Sequence, residues 1–178
     1  EFRRVLFRSR QALQEGDPLG GTGMRYIAVP HVGRSTRSVE EAKRIVAVYQ
    51  WMMGRRWFDR EGQTMMLGED DILIVCPYNM QVAEIQTRLP RARVGTVDKF
   101  QGQQAPVVFY SMATSTPEDI PRGPDFLFSR NRLNVATSRA QCLAVLFASP
   151  EILRIECKVP EHMRLVNAVC QFLEFCPQ

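Results

Sequence analysis

One polar stretch of the sequence lies between two apolar segments and carries groups that could bind a ligand. It is Thr96–Gln104 (TVDKFQGQQ), and the apolar segment PVVFYSM follows it closely. We predict a parallel strand before it and place its polar side chains at the carboxyl end of that strand, the edge at which open α/β sheets bind ligands. These side chains are Asp98, Lys99, Gln101, Gln103 and Gln104. A polar turn between strands is also often merely solvated, so the pattern alone leaves both interpretations open.

A second stretch, Arg132–Ala140 (RLNVATSRA), carries two arginines seven residues apart. In a helix this spacing places Arg132 and Arg139 on one face, while Leu133 and Ala136 pack inward. Guanidinium groups are permanently charged and can bind two phosphate oxygens at once. The pair therefore suits a phosphate, although a solvated helix face with surface ion pairs would show the same pattern.

The sequence contains no phosphate-binding P-loop. Gly20–Gly23 (GGTG) is rich in glycine, but no Lys-Ser or Lys-Thr pair follows it, and it precedes a strand rather than a helix. We expect a flexible connection at this point. The chain is therefore not expected to bind ATP in the usual way by itself.

The elements that must position these stretches alternate between apolar runs and helical patterns, which is typical of a parallel sheet with helices on its faces. Strands are predicted at Met24–Val29, Asp71–Cys76, Arg93–Val97, Pro106–Met112 and Leu143–Ala148. Helices are predicted from a capping box at Ser38–Glu41 to about Met53, from Asn79 to about Leu89, over Ser129–Ala140 and over Glu161–Phe175. Loops are predicted at Asp59–Asp70 and Ser115–Asp125. The pattern indicates a three-layer α/β sandwich.

Three strings, taken in order, resemble the late motifs of superfamily 1 helicases. Asp71–Gln81 (DILIVCPYNMQ) resembles motif IV, Thr96–Gln104 resembles motif V, and Arg132–Ala140 resembles motif VI. The similar group includes the RNA helicase of nonsense-mediated decay and bacterial helicases fused to RecB-like nucleases. The resemblance spans about Gly23 to Pro150. It implies a RecA-like P-loop NTPase fold, α/β in class, with a mainly parallel sheet that lacks its own P-loop.

The resemblance implies a nucleotide site shared with another domain. In that family, ATP with Mg²⁺ lies between two RecA-like domains, and the first domain, absent from this chain, brings the P-loop. Arg139 would be the catalytic arginine finger and Arg132 a supporting residue. Gln101 and Gly102 would lie near the nucleotide. Gln104 stands where an acidic residue commonly bonds the ribose, and an amide can still accept a hydrogen bond there but lacks the charge.

The resemblance also implies a track for single-stranded nucleic acid, with DNA favoured over RNA. Thr96 and Asp98 are the candidates on the nucleic-acid side of motif V. Tyr78 and Gln81 are candidates in motif IV, although Tyr78 is equally suited to the core or to a hinge. The expected partners are the nucleic acid, an N-terminal RecA-like domain of the same protein and a fused RecB-like nuclease. No membrane partner is expected.

Composition and charge add little to this hypothesis. The net charge is +4, but the first ten residues carry four arginines and one glutamate, so the remainder is nearly neutral. The five cysteines are scattered and only two histidines are present, so no metal site is indicated. The sequence has no apolar run of membrane-spanning length, and we expect a cytoplasmic protein. We assign residues 1–22 to a linker or a segment foreign to the natural chain, 23–150 to the RecA-like domain and 151–178 to a helical extension.

Two alternatives remain at this point. One is a RecA-like module that binds nucleic acid or a partner without catalysis. The other is a motor subunit that has lost hydrolysis, for which Gln104 is the only indication. Both alternatives explain Arg139 less well than an active helicase does, because an arginine finger has a role only where a P-loop domain completes the site.

Overall fold

The computed structural model describes residues 11–14, 19–121, 123, 127 and 138–153. In chain order, the helices and strands of this part are β1 (Ala12–Leu13), β2 (Gly23–Ala28), α1 (Val39–Met52), β3 (Arg56–Phe58), β4 (Thr64–Met66), β5 (Ile72–Cys76), α2 (Asn79–Arg88), β6 (Arg93–Thr96), β7 (Ala105–Ser111) and β8 (Ala140–Ala148). Short 3₁₀ turns lie at Glu69–Asp71, Asp98–Phe100, Pro117–Asp119 and Pro150–Leu153. None of the described helices is long and apolar enough to cross a bilayer.

Five strands form one parallel sheet in the order β2-β8-β7-β5-β6. Every residue of β5 and β7 is buried. Sheets of this kind are covered on both faces, which explains why their strands are read from the sequence as continuous apolar runs. All five predicted strands are confirmed as members of this sheet, with bounds shifted by a few residues.

The two faces of the sheet have separate cores. On one face, Phe109 and Phe147 pack edge to face with their ring centroids 5.2 Å apart, and α1 and α2 cover them with Ile45, Met52 and Ile85. On the other face, the buried residues come from alternate strand positions and from the connecting loops, among them Val75, Tyr110, Leu146, Phe100, Ile120 and Ile152. The fold is therefore α/β and RecA-like. The predicted helix over residues 129–140 lies outside the described residues apart from 138–140, of which Ala140 begins β8. The predicted helix over residues 161–175 lies outside them entirely.

Only half of the predicted capping box forms at the start of α1. The Ser38 hydroxyl accepts a hydrogen bond from the amide of Glu41 at 3.0 Å, as predicted. The Glu41 carboxylate does not return to the Ser38 amide. That amide instead donates to Oε1 of Gln81 at 2.8 Å. The Glu41 carboxylate therefore forms its hydrogen bonds elsewhere in the fold.

The prediction that Asp59–Asp70 is only a loop is wrong, because this range contains the turn and the second strand of a short antiparallel hairpin. β3 pairs with β4 on one side and with β1 on the other, so β1 lies within the range assigned to a linker. The hairpin turn is closed by the Asp59 carboxylate, which accepts from the amides of Glu61 and Gln63, and Gly62 adopts a φ of 79°. β4 is three residues long and exposed throughout, so its sequence lacks the alternation that identifies a strand.

Candidate functional site

The residues of motif V form the connection between β6 and β7, which we call the crossover. It runs from the edge of the sheet where the parallel strands end, the carboxyl edge, to the edge where they begin, the amino edge. β6 ends at Thr96, level with Cys76 at the carboxyl end of β5. β7 also runs parallel to β5, so the chain must return to the amino edge before Ala105 can begin β7. The seven residues of β7 separate the two edges by roughly 20 Å, at about 3.3 Å per residue. The prediction that all the polar residues of this stretch lie at the carboxyl end is therefore wrong for Gln103 and Gln104.

At the amino edge, the structure brings Gln104 close to Arg139. The amide of Ala105 donates to the carbonyl oxygen of Arg139 at 3.0 Å, and Ala105 pairs with Ala140 between β7 and β8. Arg139 is half-buried. Its Nε is buried and has no hydrogen-bond partner among the described residues. Buried donors are almost always satisfied, so the partner of this Nε is either a residue outside the described part of the chain or a bound group.

The turn before β7 directs its side chains unequally. Gln103 is exposed but anchored, because its Oε1 accepts from Arg93 at 2.6 Å and its Nε2 donates to the carbonyl of Lys99 at 3.2 Å. Gly102 has a φ of 76°, a conformation that side chains rarely adopt. Gln101 and Gln104 are exposed on either side. All three glutamines of the turn are therefore exposed, and Gln103 is also anchored at both ends of its side-chain amide.

The start of the crossover is fixed by Lys99. Its ammonium donates to the carbonyl oxygen of Val94 at 2.8 Å, and its aliphatic stem lies directly over Gly95. A Cβ atom at Gly95 would stand 2.4 Å from Cδ of Lys99. Thr96 is half-exposed beside this contact and Asp98 is exposed, so both remain accessible at the carboxyl side of the domain.

A buried polar network, which the sequence did not predict, lies at the carboxyl edge. The carboxylate of Glu41 is fully buried. Its Oε1 lies 2.9 Å from Nε2 of His31, and its Oε2 accepts from the Ser111 hydroxyl at 2.5 Å and from the Ala113 amide at 2.9 Å. A signal was present, because Glu41 shares the core-facing side of α1 with Ala42, Ile45 and Tyr49.

Gln81 belongs to this network. Its side chain is fully buried, and its Nε2 donates to the Ser111 hydroxyl at 3.0 Å and to the Ser38 carbonyl at 3.1 Å. Its Oε1 accepts from the Ser38 amide. The amide is therefore fully used within the fold, and the prediction that Gln81 contacts nucleic acid directly is corrected to a structural role. Tyr78 is also buried and packs in the core below the crossover.

Three residues of the network have the composition of a hydrolase triad. Nδ1 of His31 lies 2.7 Å from the Ser115 hydroxyl, and Nε2 faces Glu41. All three residues are buried, and the Ser115 hydroxyl also accepts from the Arg34 amide at 2.9 Å. A nucleophile must reach its substrate. This serine is enclosed and engaged, so the arrangement is structural.

The described residues offer neither a metal site nor a reactive thiol. They contain no group of three His, Cys, Asp or Glu side chains that could hold a metal ion. Burial raises the pKa of Cys142 to about 12 and raises the pKa of Cys76 well above its usual value. Both thiols are therefore protonated and enclosed. Arg132 lies outside the described residues.

Comparison with known proteins agrees with this architecture. Residues 25–151 match the family model described as AAA domain. The chain is 32% identical over 101 residues to the DNA replication ATP-dependent helicase/nuclease JHS1 of Arabidopsis thaliana, which covers 56% of the chain and 7% of that protein. It is 33% identical over 91 residues to the human RNA helicase Mov10l1, covering 47% and 8%. It is 40% identical over 73 residues to the DNA polymerase alpha-associated DNA helicase A of Schizosaccharomyces pombe, covering 39% and 11%.

These relatives are named as helicases of both DNA and RNA, and the chain spans about a tenth of their length. The matched region of the family model includes all five strands of the parallel sheet except the first two residues of β2, and it includes both edges described above. The chain therefore belongs to the AAA domain family and is a helicase-type domain.

Proposed function

We propose that the chain is the C-terminal motor half of an ATP-dependent helicase or translocase acting on single-stranded nucleic acid, with DNA favoured. One observation carries the proposal. Arg139, with a buried Nε that has no partner among the described residues, lies beside Gln104 at the amino edge of a RecA-like sheet, and the sequence has no P-loop. An arginine of this kind serves a nucleotide that another domain binds.

On the nucleotide side, ATP with Mg²⁺ would supply the phosphoryl group to be transferred to water. Arg139 would neutralise the negative charge that develops on that group, a contribution that is often worth orders of magnitude in rate. Gln104 would accept from a ribose hydroxyl, and Gln101 and Gly102 would lie along the nucleotide. Arg132, seven residues earlier in the sequence, would support Arg139.

On the nucleic-acid side, Thr96 and Asp98 lie at the opposite end of the crossover. The Thr96 hydroxyl and nearby backbone amides suit a phosphate, and contacts of this kind position a strand without reading its sequence. Tyr78 would contribute indirectly, because it packs in the core that supports the crossover. An N-terminal RecA-like domain would complete the motor, and a fused RecB-like nuclease is a further proposed partner.

The test is strand-stimulated ATP hydrolysis by the parent protein that contains both motor domains. Arg139→Ala should lower kcat about 100-fold or more, as expected when an arginine finger is removed. The matched control is Arg44→Ala, which removes an exposed arginine on α1 and should leave kcat within about twofold, since surface changes of this kind are usually small in effect. If Arg139→Ala hydrolyses ATP as well as the control, the proposal fails and a non-catalytic binding module becomes the better account.

A further inference from the structure

The Glu41 network, which we define as His31, Ser38, Glu41, Gln81, Ser111 and Ser115, joins three separate connections at the carboxyl edge of the sheet. His31 follows β2, Gln81 lies in the first turn of α2 after β5, and Ser111 ends β7. Glu41 is at the centre and accepts from donors on the first and third of these connections. One carboxylate thus fixes the relative positions of loops that are far apart in sequence.

The network holds the loop after β7 in a conformation that it would not otherwise prefer. Ala113 has a φ of 63°, the only positive value at a non-glycine residue in the described part of the chain. Such a conformation costs free energy and persists where surrounding contacts impose it. The Ala113 amide itself donates to Oε2 of Glu41 at 2.9 Å, which is one of the contacts that hold this conformation.

The same loop is tied to the loop between β2 and α1. The Ser115 amide donates to the carbonyl of Arg34 at 2.8 Å, and the Thr114 hydroxyl donates to the carbonyl of Ser35 at 2.6 Å. The loop between β2 and α1 is therefore held along its length, although several of its side chains face solvent.

The loops that the network holds present exposed side chains of a mixed character. Val32 is 86% exposed and Met80, in the first turn of α2, is 55% exposed. Arg37, in the loop before α1, pairs with Glu84 at 3.6 Å and has half of its side chain exposed. Apolar and cationic side chains suit the bases and phosphates of a single strand, and the loops that carry these residues lie at the edge where Thr96 also lies.

A buried carboxylate is energetically unfavourable at a position where packing alone would suffice. Burial of a charge is unfavourable unless its oxygens are hydrogen-bonded, and an apolar side chain would fill this space without that cost. Unlike an apolar side chain, the carboxylate forms directional hydrogen bonds. Its two oxygens therefore fix the positions of the His31, Ser111 and Ala113 donors. Its role is therefore best understood as positioning.

We propose that Glu41 is a positioning residue for the nucleic-acid side of the domain, holding the loops after β2, β5 and β7 in the arrangement that contacts a single strand. This inference rests on the proposed function. Since Glu41 lies at the carboxyl edge, away from Arg139, its loss should weaken strand binding and spare the nucleotide side.

The test is Glu41→Gln in the parent protein, with Glu40→Gln as the matched control. The control removes the neighbouring carboxylate, which pairs with Arg34 and accepts from the Ser38 hydroxyl at 3.1 Å, and it leaves every hydrogen bond of Glu41 in place. Titration of ATP hydrolysis with single-stranded DNA should show a half-saturating DNA concentration about 10-fold higher for Glu41→Gln, with the KM for ATP and the hydrolysis rate without DNA within twofold of the wild type. Glu40→Gln should change none of these values. Amide exchange at Ala113 and Ser115 should be faster in Glu41→Gln alone.

A purely structural role for Glu41 would lower strand binding and ATP use together, and that result would overturn the inference, as would unchanged strand binding in a folded Glu41→Gln protein. If Glu41→Gln does not fold, Ser111→Ala removes one donor to the same carboxylate and should raise half-saturation about threefold with the same sparing of ATP. A wild-type parent that neither binds DNA nor hydrolyses ATP would instead refute the proposed function and the inference with it.

Discussion

Charged side chains in this domain are satisfied to different degrees, and the difference separates structure from function. Glu41 is fully buried and each of its oxygens has a partner. Arg139 is half-buried, with a buried Nε that no described residue bonds. The first pattern stabilises an arrangement within the chain, whereas in our proposal the second serves a bound nucleotide.

The surface pair of Glu40 and Arg34 predicts a pH dependence of stability. The two hydrogen bonds from the Arg34 guanidinium, at 2.7 and 3.1 Å, lower the pKa of the Glu40 carboxyl from 4.5 to about 2. Because the folded-state pKa is depressed, the stabilisation is fully present above pH 4.5 and is lost as the pH falls towards 2. Urea unfolding of wild type and Glu40→Gln should therefore differ at pH 7 and converge near pH 2.

The size of this effect should be small, since exposed pairs contribute little to stability. Glu61→Gln is the control, because Glu61 is exposed and has no ion pair among the described residues. Its difference from wild type should not follow the same pH window. A Glu40→Gln difference that stays constant from pH 7 to pH 2 would contradict the assignment.

Individual residues were predictable from the sequence where their role is local. The Ser38 cap is confirmed, because an N-cap depends on four neighbouring residues. The destination of the Glu41 and Gln81 side chains was not predictable, because it depends on Ser111 and Ala113, which are about 30 and 70 residues away and reach them only through the pairing of the sheet.

Among the elements, the crossover between β6 and β7 connects the two sides of the domain. It runs from Thr96 to Gln104 and buries Val97 and Phe100 beneath it. The Lys99 stem lies across Gly95 at its start, so the path of the crossover depends on a strand position that has no side chain. Displacement of Lys99 would move the whole segment.

Gly95→Ala should therefore destabilise the domain by roughly 1–3 kcal/mol, the usual range for overpacking a tight site. The added Cβ would meet Cδ of Lys99 at 2.4 Å and its Cβ and Cγ at 3.2 Å, so rotation of the end of the lysine alone would not relieve the contact. Chemical denaturation of the purified chain measures the change.

Gly68→Ala provides the comparison, because the added Cβ there would meet only one atom, at an ordinary 3.6 Å. Its effect should stay within about 0.5 kcal/mol, as for most surface substitutions. Equal stabilities for the Gly95 and Gly68 variants would show that the crossover tolerates displacement and is not held at Gly95.

The elements also show where sequence reasoning reached its limit. The buried strands were predicted because a parallel sheet covered on both faces produces unbroken apolar runs, as in Ile72–Cys76. The hairpin of β3 and β4 was missed because each strand has three residues and β4 is exposed. The location of Gln104 at the amino edge could have been predicted from the sequence. When two successive strands are parallel, the chain must return to the amino edge before the second strand begins.

The molecule as a whole presents two surfaces roughly 20 Å apart, linked by one crossover of the chain. The amino-edge surface carries Arg139 and Gln104, and the carboxyl side carries Thr96 and Asp98 above the Glu41 network. A helicase motor needs both a nucleotide surface and a strand surface, together with a connection between them. This domain provides one of each in our proposal, which explains why the predicted site residues do not cluster in a single pocket.

The most direct test of this account is a measurement of two parameters, the KM for ATP and the half-saturating concentration of single-stranded DNA, in the parent protein with Gln104→Ala and with Thr96→Val. Gln104→Ala should raise the KM for ATP about 5- to 10-fold and leave DNA half-saturation unchanged, since loss of a hydrogen bond typically costs about 1–1.5 kcal/mol. Thr96→Val should do the reverse. If both substitutions change the same parameter, or if each changes both equally, the two edges do not serve separate ligands and the account is wrong.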